Sequence, residues 1–217
     1  MKTFQLEGSP REIVGKKATK TLRKQGLIPA ILYGQVPVKL PFEGVLKKGE
    51  KIVNIGAGKG VLVTDLVVTA ENVRNLIYSP HIYLVELALE GVRATKAIIK
   101  DLQFHPVSDE LLHIDFLEVF DKKPIVMEVP VVLEGHAEGV KAGGKLNLEM
   151  RRLRVRALYD KIPEKLTINV DKLGLGKAIQ VGDLQYDELE LINAKNAVVC
   201  SVKLTRAARG IEAAKNN

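Results

Sequence analysis

The sequence predicts a mainly β protein with two or three short helices, and three observations carry that reading. Most of the chain alternates apolar and polar residues with a period of two, the alternating runs are rich in Val, Ile and Leu, and turn-forming residues bound them. The clearest runs are 82–89, 96–104, 111–119, 125–133, 153–158, 166–170 and 197–204. Two segments change to a helical period. Residues 16–25 place Ala18 and Leu22 on one face and end before Gly26, the residue type favoured just past a helix C-terminus. Residues 69–78 open on Thr69 as N-cap and stop at Ser79-Pro80.

A chain of 217 residues, 46% hydrophobic and 27% charged, has room for a buried core and is long enough for two domains of about 100 residues each. The boundary is expected at Phe120-Asp121-Lys122-Lys123-Pro124, where charge and a proline separate two strand patterns. This gives an N-terminal domain over 1–118, a C-terminal all-β domain over 124–205 and a frayed tail over 206–217. Cys200 stands alone in the apolar run 197–202 and reads as a small core residue. No run reaches the roughly 18 apolar residues of a membrane span, so the expectation is a cytoplasmic chain with no membrane partner.

Lys and Arg outnumber Asp and Glu by 33 to 26, a net charge of +7. The excess is local: residues 1–24 hold seven cations and two acids, which is +5 of the +7, and no acid occurs between Glu12 and Glu43. A helix over 16–25 turns Lys16, Lys20, Arg23 and Lys24 toward solvent, with like charges at i and i+4 that repel by a few tenths of a kcal/mol per pair. A polyanion removes that cost; an ordinary solvated basic face is the alternative. With no Trp, five Tyr and five Phe, the chain lacks the rings of a platform that stacks single-stranded bases, so an RNA partner would be met by groove shape and phosphates.

The motifs of catalysis and metal binding are missing from the sequence. Gly56-Ala57-Gly58-Lys59-Gly60 has neither Walker A nor dinucleotide-loop spacing and sits between strand-like runs, so it reads as a hairpin turn. Gly143-Gly144 between Val140 and Leu146 reads the same way. His81, His105, His113, His136 and Cys200 offer no pair at zinc-ligand spacing, and no serine or acid pair stands in a catalytic context. The expectation is no enzyme, no metal and no cofactor.

Three further features carry two readings each. On a strand over 111–119, His113 and Asp115 share one side, about 7 Å apart, with Leu112, Ile114 and Phe116 on the other. They form either a solvated face or a donor and an acceptor held rigidly for an RNA groove. Tyr33 either contacts RNA through its hydroxyl or caps a core. Arg152, Arg154 and Arg156 alternate with Leu153, Val155 and Ala157 as either a solvated outer face or a secondary phosphate contact.

These residues also carry a family likeness. The string from Gly15-Lys16-Lys17 to Ile31-Leu32-Tyr33-Gly34 resembles the opening of the bacterial 5S-rRNA-binding large-subunit ribosomal protein family, number twenty-five in its series, in the long two-domain form called Ctc or general stress protein. Residues 100–116, ending Leu112-His113-Ile114-Asp115-Phe116, resemble the end of that family's RNA-binding domain. Val129-Pro130-Val131, Gly139-Val140-Lys141-Ala142-Gly143-Gly144 and Ile162-Pro163-Glu164 are similar to the long form's C-terminal domain.

The resemblance implies an N-terminal six-stranded β-barrel with short helices that binds the loop E region of 5S rRNA, joined to a C-terminal all-β domain. It implies RNA contacts at Arg11, Arg23, Tyr33, His113 and Asp115, to which the charge pattern adds Lys16, Lys20 and Lys24. The expected partners are 5S rRNA and neighbouring components of the large subunit, with the chain a monomer within the ribosome. The segment between Tyr33 and Thr69 is about 25 residues longer than in compact members, an insert at about 36–64 expected to protrude as a hairpin. The alternative function is a protein-binding stress factor whose C-terminal domain is the interaction module.

Overall fold

A computed structural model describes residues 1–12, 15–39, 46–56, 59–89, 94–186 and 188–205. The chain divides into two compact units, Met1–Lys123 and Pro124–Asn217. In chain order the first contains β1 (Lys2–Pro10), α1 (Lys16–Lys24), β2 (Leu27–Lys39), β3 (Glu50–Gly56), β4 (Lys59–Thr69), α2 (Ala70–Ile77), β5 (Tyr83–Leu89), β6 (Thr95–Phe104) and β7 (Leu111–Glu118). β1 runs parallel to β5, β5 pairs with β6 and β6 with β7, β7 runs parallel to β2, and β2 pairs with β4. Ser9 opposite Val67 and Pro10 opposite Leu66 join β4 back to β1. The sheet thereby closes as the expected six-stranded barrel, leaving no free edge around the ring.

Strand alternation decides what fills the barrel. Leu6 of β1, Ile28, Ala30 and Leu32 of β2, Leu66 and Val68 of β4, Leu87 of β5, and Ile114 and Phe116 of β7 point inward, with Val73 and Leu76 of α2 packed against them. Each fully buried Leu or Phe stabilises the unit by about 1.5–3 kcal/mol. The parity that buries 114 and 116 sends His113 and Asp115 outward, and burying 30 and 32 does the same for Ile31 and Tyr33. The helix forecasts are close as well. α1 ends at Lys24 with Gly26 at φ +73, and Thr69 is the N-cap of α2 by position, without a side-chain capping bond.

β3 stands outside the ring. It pairs with residues 59–64 of β4, along the edge that β1 occupies at 66–67, so β3 carries on where β1 stops. The junction needs a glycine: Gly49, at φ +78, accepts the Asp65 N–H, and a Cβ there would lie 2.8 Å from the Asp65 carbonyl oxygen. β3 and β4 make the hairpin expected around Gly56–Gly60, with Gly56 at φ +90. Ala57 and Gly58 at its tip lie outside the described residues. The β4 half of the hairpin runs on into the barrel wall, so the inserted segment is continuous with the ring.

The second unit contains β8 (Ile125–Glu134), α3 (Glu138–Lys141), β9 (Lys145–Leu148), β10 (Arg152–Ala157), β11 (Leu166–Asn169), β12 (Ala178–Gln180), β13 (Glu190–Leu191) and β14 (Val198–Lys203). One sheet has the order β11-β8-β10-β13 and the other β12-β14-β9. Ile125, Val129, Leu153, Val155, Leu166, Val199, Cys200 and Val202 are buried in this unit, which gives Cys200 the core position its sequence context suggested. The strand runs forecast over 125–204 are all present within one or two residues.

One turn differs from expectation. Gly143-Gly144 is not a hairpin turn, because the residues before it wind into α3 and the Gly144 N–H bonds back to the Gly139 carbonyl at 2.8 Å. A Cβ on Gly139 would sit 2.7 Å from the backbone of Gly174 and Leu175, so this glycine-rich block is a close crossing of two backbone segments. The 206–217 tail lies outside the described residues.

Candidate nucleic-acid interface

No residue of α1 is fully buried, so burial alone does little to orient this helix. Two arginines tie it down. Arg11, just past β1, donates from Nη2 to Thr19 Oγ1 at 2.8 Å, and Thr19 donates on to the Gly15 carbonyl. Near the other end Arg23 donates from Nε and Nη2 to the Leu112 carbonyl at 3.1 and 2.8 Å. Arg23 is exposed, as expected, but not idle: its planar fork grips the β7 backbone beside His113. Lys16, Lys20 and Lys24 are exposed and have no ion-pair partner among the described residues. The helix thus holds a row of ammonium groups next to the outer face of β7.

On that outer face three of the expected residues meet. Tyr33 donates its hydroxyl to Asp115 Oδ2 at 3.2 Å, and His113 Nδ1 lies 2.7 Å from Asp115 Oδ1. The ring N–H is not aimed at that oxygen, and buried Nδ1 finds no other partner, so the contact is one of proximity and not an aligned hydrogen bond. Burial pushes the Tyr33 hydroxyl above its ordinary pKa, and the neighbouring Asp115 carboxylate, which also accepts its proton, pushes the same way. Tyr33 therefore stays a neutral donor at physiological pH, fixing one carboxylate oxygen while His113 crowds the other.

Cross-strand register adds residues that the sequence reading missed. Asp101 of β6 stands opposite Asp115, and Gln103 opposite His113. On the β2 side, Ile31 lies between Asp115 of β7 and Asp65 of β4. Asp65 is 7% exposed and accepts from Lys51 Nζ at 2.6 Å. The acids at 65, 101 and 115 come from three strands and share the surroundings of Tyr33. Period-two alternation puts Asp101 and Gln103 on one side of β6, but only pairing register brings them beside 113 and 115. Among the described residues no three His, Cys, Asp or Glu side chains converge as metal ligands.

The division of labour is chemical. A face with three carboxylates does not attract phosphates; it accepts hydrogen bonds from donors, while the α1 ammonium row supplies the attraction for an anion. The arginine ladder of the second unit does not match α1. Arg154 pairs with Glu128 and Arg156 with Glu190, while Arg152 stands exposed opposite Pro130, so two of its three charges are balanced, as on a solvated face.

Fold and face together describe a two-unit β protein with a polar strand face beside a basic helix, an arrangement suited to a structured polyanion. The comparisons agree. Residues 6–63 and 45–116 match the ribosomal L25p family, and residues 124–206 match the C-terminal domain of ribosomal protein TL5. A Porphyromonas gingivalis protein named large ribosomal subunit protein bL25 is 60% identical over 97% of each chain. Proteins of the same name from Parabacteroides distasonis and Bacteroides thetaiotaomicron are 58% and 51% identical over at least 98% of each chain. The chain belongs to the ribosomal L25p family, in its long two-domain form. That family is structural and non-enzymatic.

Proposed function

We propose that the chain, a large-subunit ribosomal protein of the cytoplasmic ribosome, binds 5S rRNA at its loop E region through residues 1–118. The observation that carries this reading is the Tyr33–Asp115–His113 constellation, built on two neighbouring barrel strands and bordered by a helix whose Lys16, Lys20 and Lys24 have no ion-pair partner among the described residues. A-form RNA closes its major groove to side chains and presents a wide, shallow minor groove with 2′-hydroxyls and base edges. A rigid strand face fits such a surface better than a loop would. Asp115 accepts from a base amino group or a 2′-hydroxyl and Tyr33 and His113 flank it, while Lys16, Lys20 and Lys24 meet phosphates. Arg11 and Arg23 hold the helix in place and lie where they can share in the phosphate contact. Residues 124–205 form the accompanying all-β domain.

A mobility-shift titration of the full chain on 5S rRNA and on a random duplex of equal length tests this. Four to six neutralised phosphates give a slope of log K on log salt of about −3 to −5, with 5S rRNA clearly preferred. Equal affinity for both RNAs overturns the groove reading, and binding indifferent to salt overturns the helix's part in it.

A further inference from the structure

Beyond the Lys51–Asp65 pair, the β3–β4 hairpin is not used by this RNA-reading face, and its outer surface is of a different kind. Register places Lys51 opposite Val63, and Val53 opposite Val61, with Val63 in turn opposite Tyr33. One apolar strip therefore leaves the barrel on the same face as Tyr33 and runs out along the hairpin. Its exposure rises steadily: Val63 is 2% exposed, Val61 is half-buried, Val53 is 44% exposed and Ile55, at the irregularity before Gly56, is 58% exposed. Leu46, in the loop entering β3, is also exposed. Strands outside the main sheet ordinarily carry charges or proline on their bare surface, and branched aliphatic residues there promote association.

We infer that this strip is a docking site for a second protein of the large subunit, whose contacting surface presents branched aliphatic side chains flanked by Asp or Glu. RNA is the poorer occupant. Val53 and Ile55 have nothing to offer phosphates or 2′-hydroxyls. The nearest cations on the barrel side are already neutralised, Lys51 by Asp65 at 2.6 Å and Lys48 by Glu12 at 3.5 Å. Lys47 and Lys59 are exposed, have no ion-pair partner among the described residues and flank the strip at its two ends. An apolar centre with a cationic rim is complementary to an aliphatic surface with an acidic rim. The inference is independent of the 5S rRNA reading, since it rests on none of the α1, β6 or β7 residues.

The test is a photo-crosslink from position 55, using the full chain with p-benzoylphenylalanine in place of Ile55, assembled into large subunits in cells. The expected product survives ribonuclease, is lost on proteolysis and maps to a peptide of another subunit protein that carries an acid beside an aliphatic residue. A product lost on ribonuclease treatment, a crosslink within the chain, or none at all overturns the inference. Two double variants supply a second readout. Val53→Ser with Ile55→Ser leaves the melting temperature and the 5S rRNA mobility shift unchanged but weakens retention on purified large subunits about 10-fold against competing wild-type chain. Val53→Lys with Ile55→Lys lowers retention further, whereas an RNA occupant would raise it. Unchanged or increased retention overturns the inference, and loss of the mobility shift alone points instead to the RNA reading.

Discussion

Replacing Asp115 by Asn separates groove reading from electrostatic attraction, because the two effects have opposite signs. The substitution keeps the side chain's shape. In the wild type both carboxylate oxygens are engaged, Oδ2 by the Tyr33 hydroxyl at 3.2 Å and Oδ1 by the approach of His113 Nδ1 at 2.7 Å. An amide offers one acceptor and one donor group in the same places, and the Tyr33 hydroxyl can turn from donating to accepting. The folded state is therefore expected to lose no more than about 1 kcal/mol. On cognate RNA a charge-assisted acceptor disappears, a loss of about 1.5–3 kcal/mol, or roughly 10- to 100-fold in Kd. On a random duplex no specific donor is lost, while a negative charge about 8 Å from phosphates is removed. At the dielectric of water that repulsion is about 0.5 kcal/mol, so binding tightens by up to about twofold. Parallel mobility-shift titrations read both numbers, and a circular-dichroism melt verifies folding. If both RNAs lose affinity together, Asp115 acts through the fold and not through a base or ribose, and its recognition role is refuted.

The remaining predictions follow from neighbouring groups. Lys20→Ala is expected to weaken binding to both RNAs about equally and to reduce the salt slope by about 1, because a phosphate contact carries no sequence information; a loss confined to 5S rRNA would contradict this. Lys51→Met is expected to destabilise the first unit by about 1–2 kcal/mol, since it strands the Asp65 carboxylate, whose side chain is only 10% exposed. Asp65→Asn is expected to cost less, since it releases a lysine that is already 46% exposed to water, and equal losses in urea unfolding would show the pair to be energetically symmetric. Glu118, half-buried at the end of the inward row of β7, has its carboxyl pushed above its ordinary value of 4.5 by burial alone. A raised folded-state pKa gives a contribution that is present below the unfolded pKa and is lost as pH rises through the folded one. Glu118→Gln should therefore raise the melting temperature at pH 7, with the gain fading as pH falls through the raised folded-state pKa and gone below 4.5; a gain that persists in acid would remove burial as its cause.

Period-two alternation made the strands legible and, with them, the faces. Ile114 and Phe116 are too apolar to be left in water, so His113 and Asp115 had to face outward, and the structure has them there. The helix at 16–24 was legible from Gly26 and the Ala18–Leu22 spacing. What the sequence could not show was register. Asp101 and Gln103 are visible on strand 96–104 as polar residues, but nothing local says that they stand opposite 115 and 113 in place of residues one step along. The engagement of Arg23 was hidden for a similar reason, since its partner is the Leu112 carbonyl and a backbone acceptor leaves no mark in composition. The Gly143-Gly144 turn was misread because a glycine pair between apolar residues suits a hairpin and a helix C-terminus alike, and the deciding contact, with residues 174–175, is more than thirty positions away.

The recognition face and the core are fixed by one arrangement. β2 and β7 run parallel, Ala30 beside Ile114 and Tyr33 beside Leu117, and a parallel pair cannot be set by a short turn between them. Its register depends on the closed ring, in which β7 is also held by β6, and β2 by β4. A slip of one residue at any seam would expose Leu32 or Phe116 and bury Tyr33 or Asp115, so the cost of losing the core protects the geometry outside it. α1 has no such protection. With no fully buried residue it depends on the hydrogen bonds of Arg11 and Arg23. The barrel face is therefore preorganised whether or not RNA is present, whereas the helix is the part that a polyanion stabilises most, by removing the repulsion among Lys16, Lys20 and Lys24. The proposed RNA binding would then take its specificity from the rigid element and its salt-dependent affinity from the soft one, and for that reason substitutions in the two are expected to separate so cleanly.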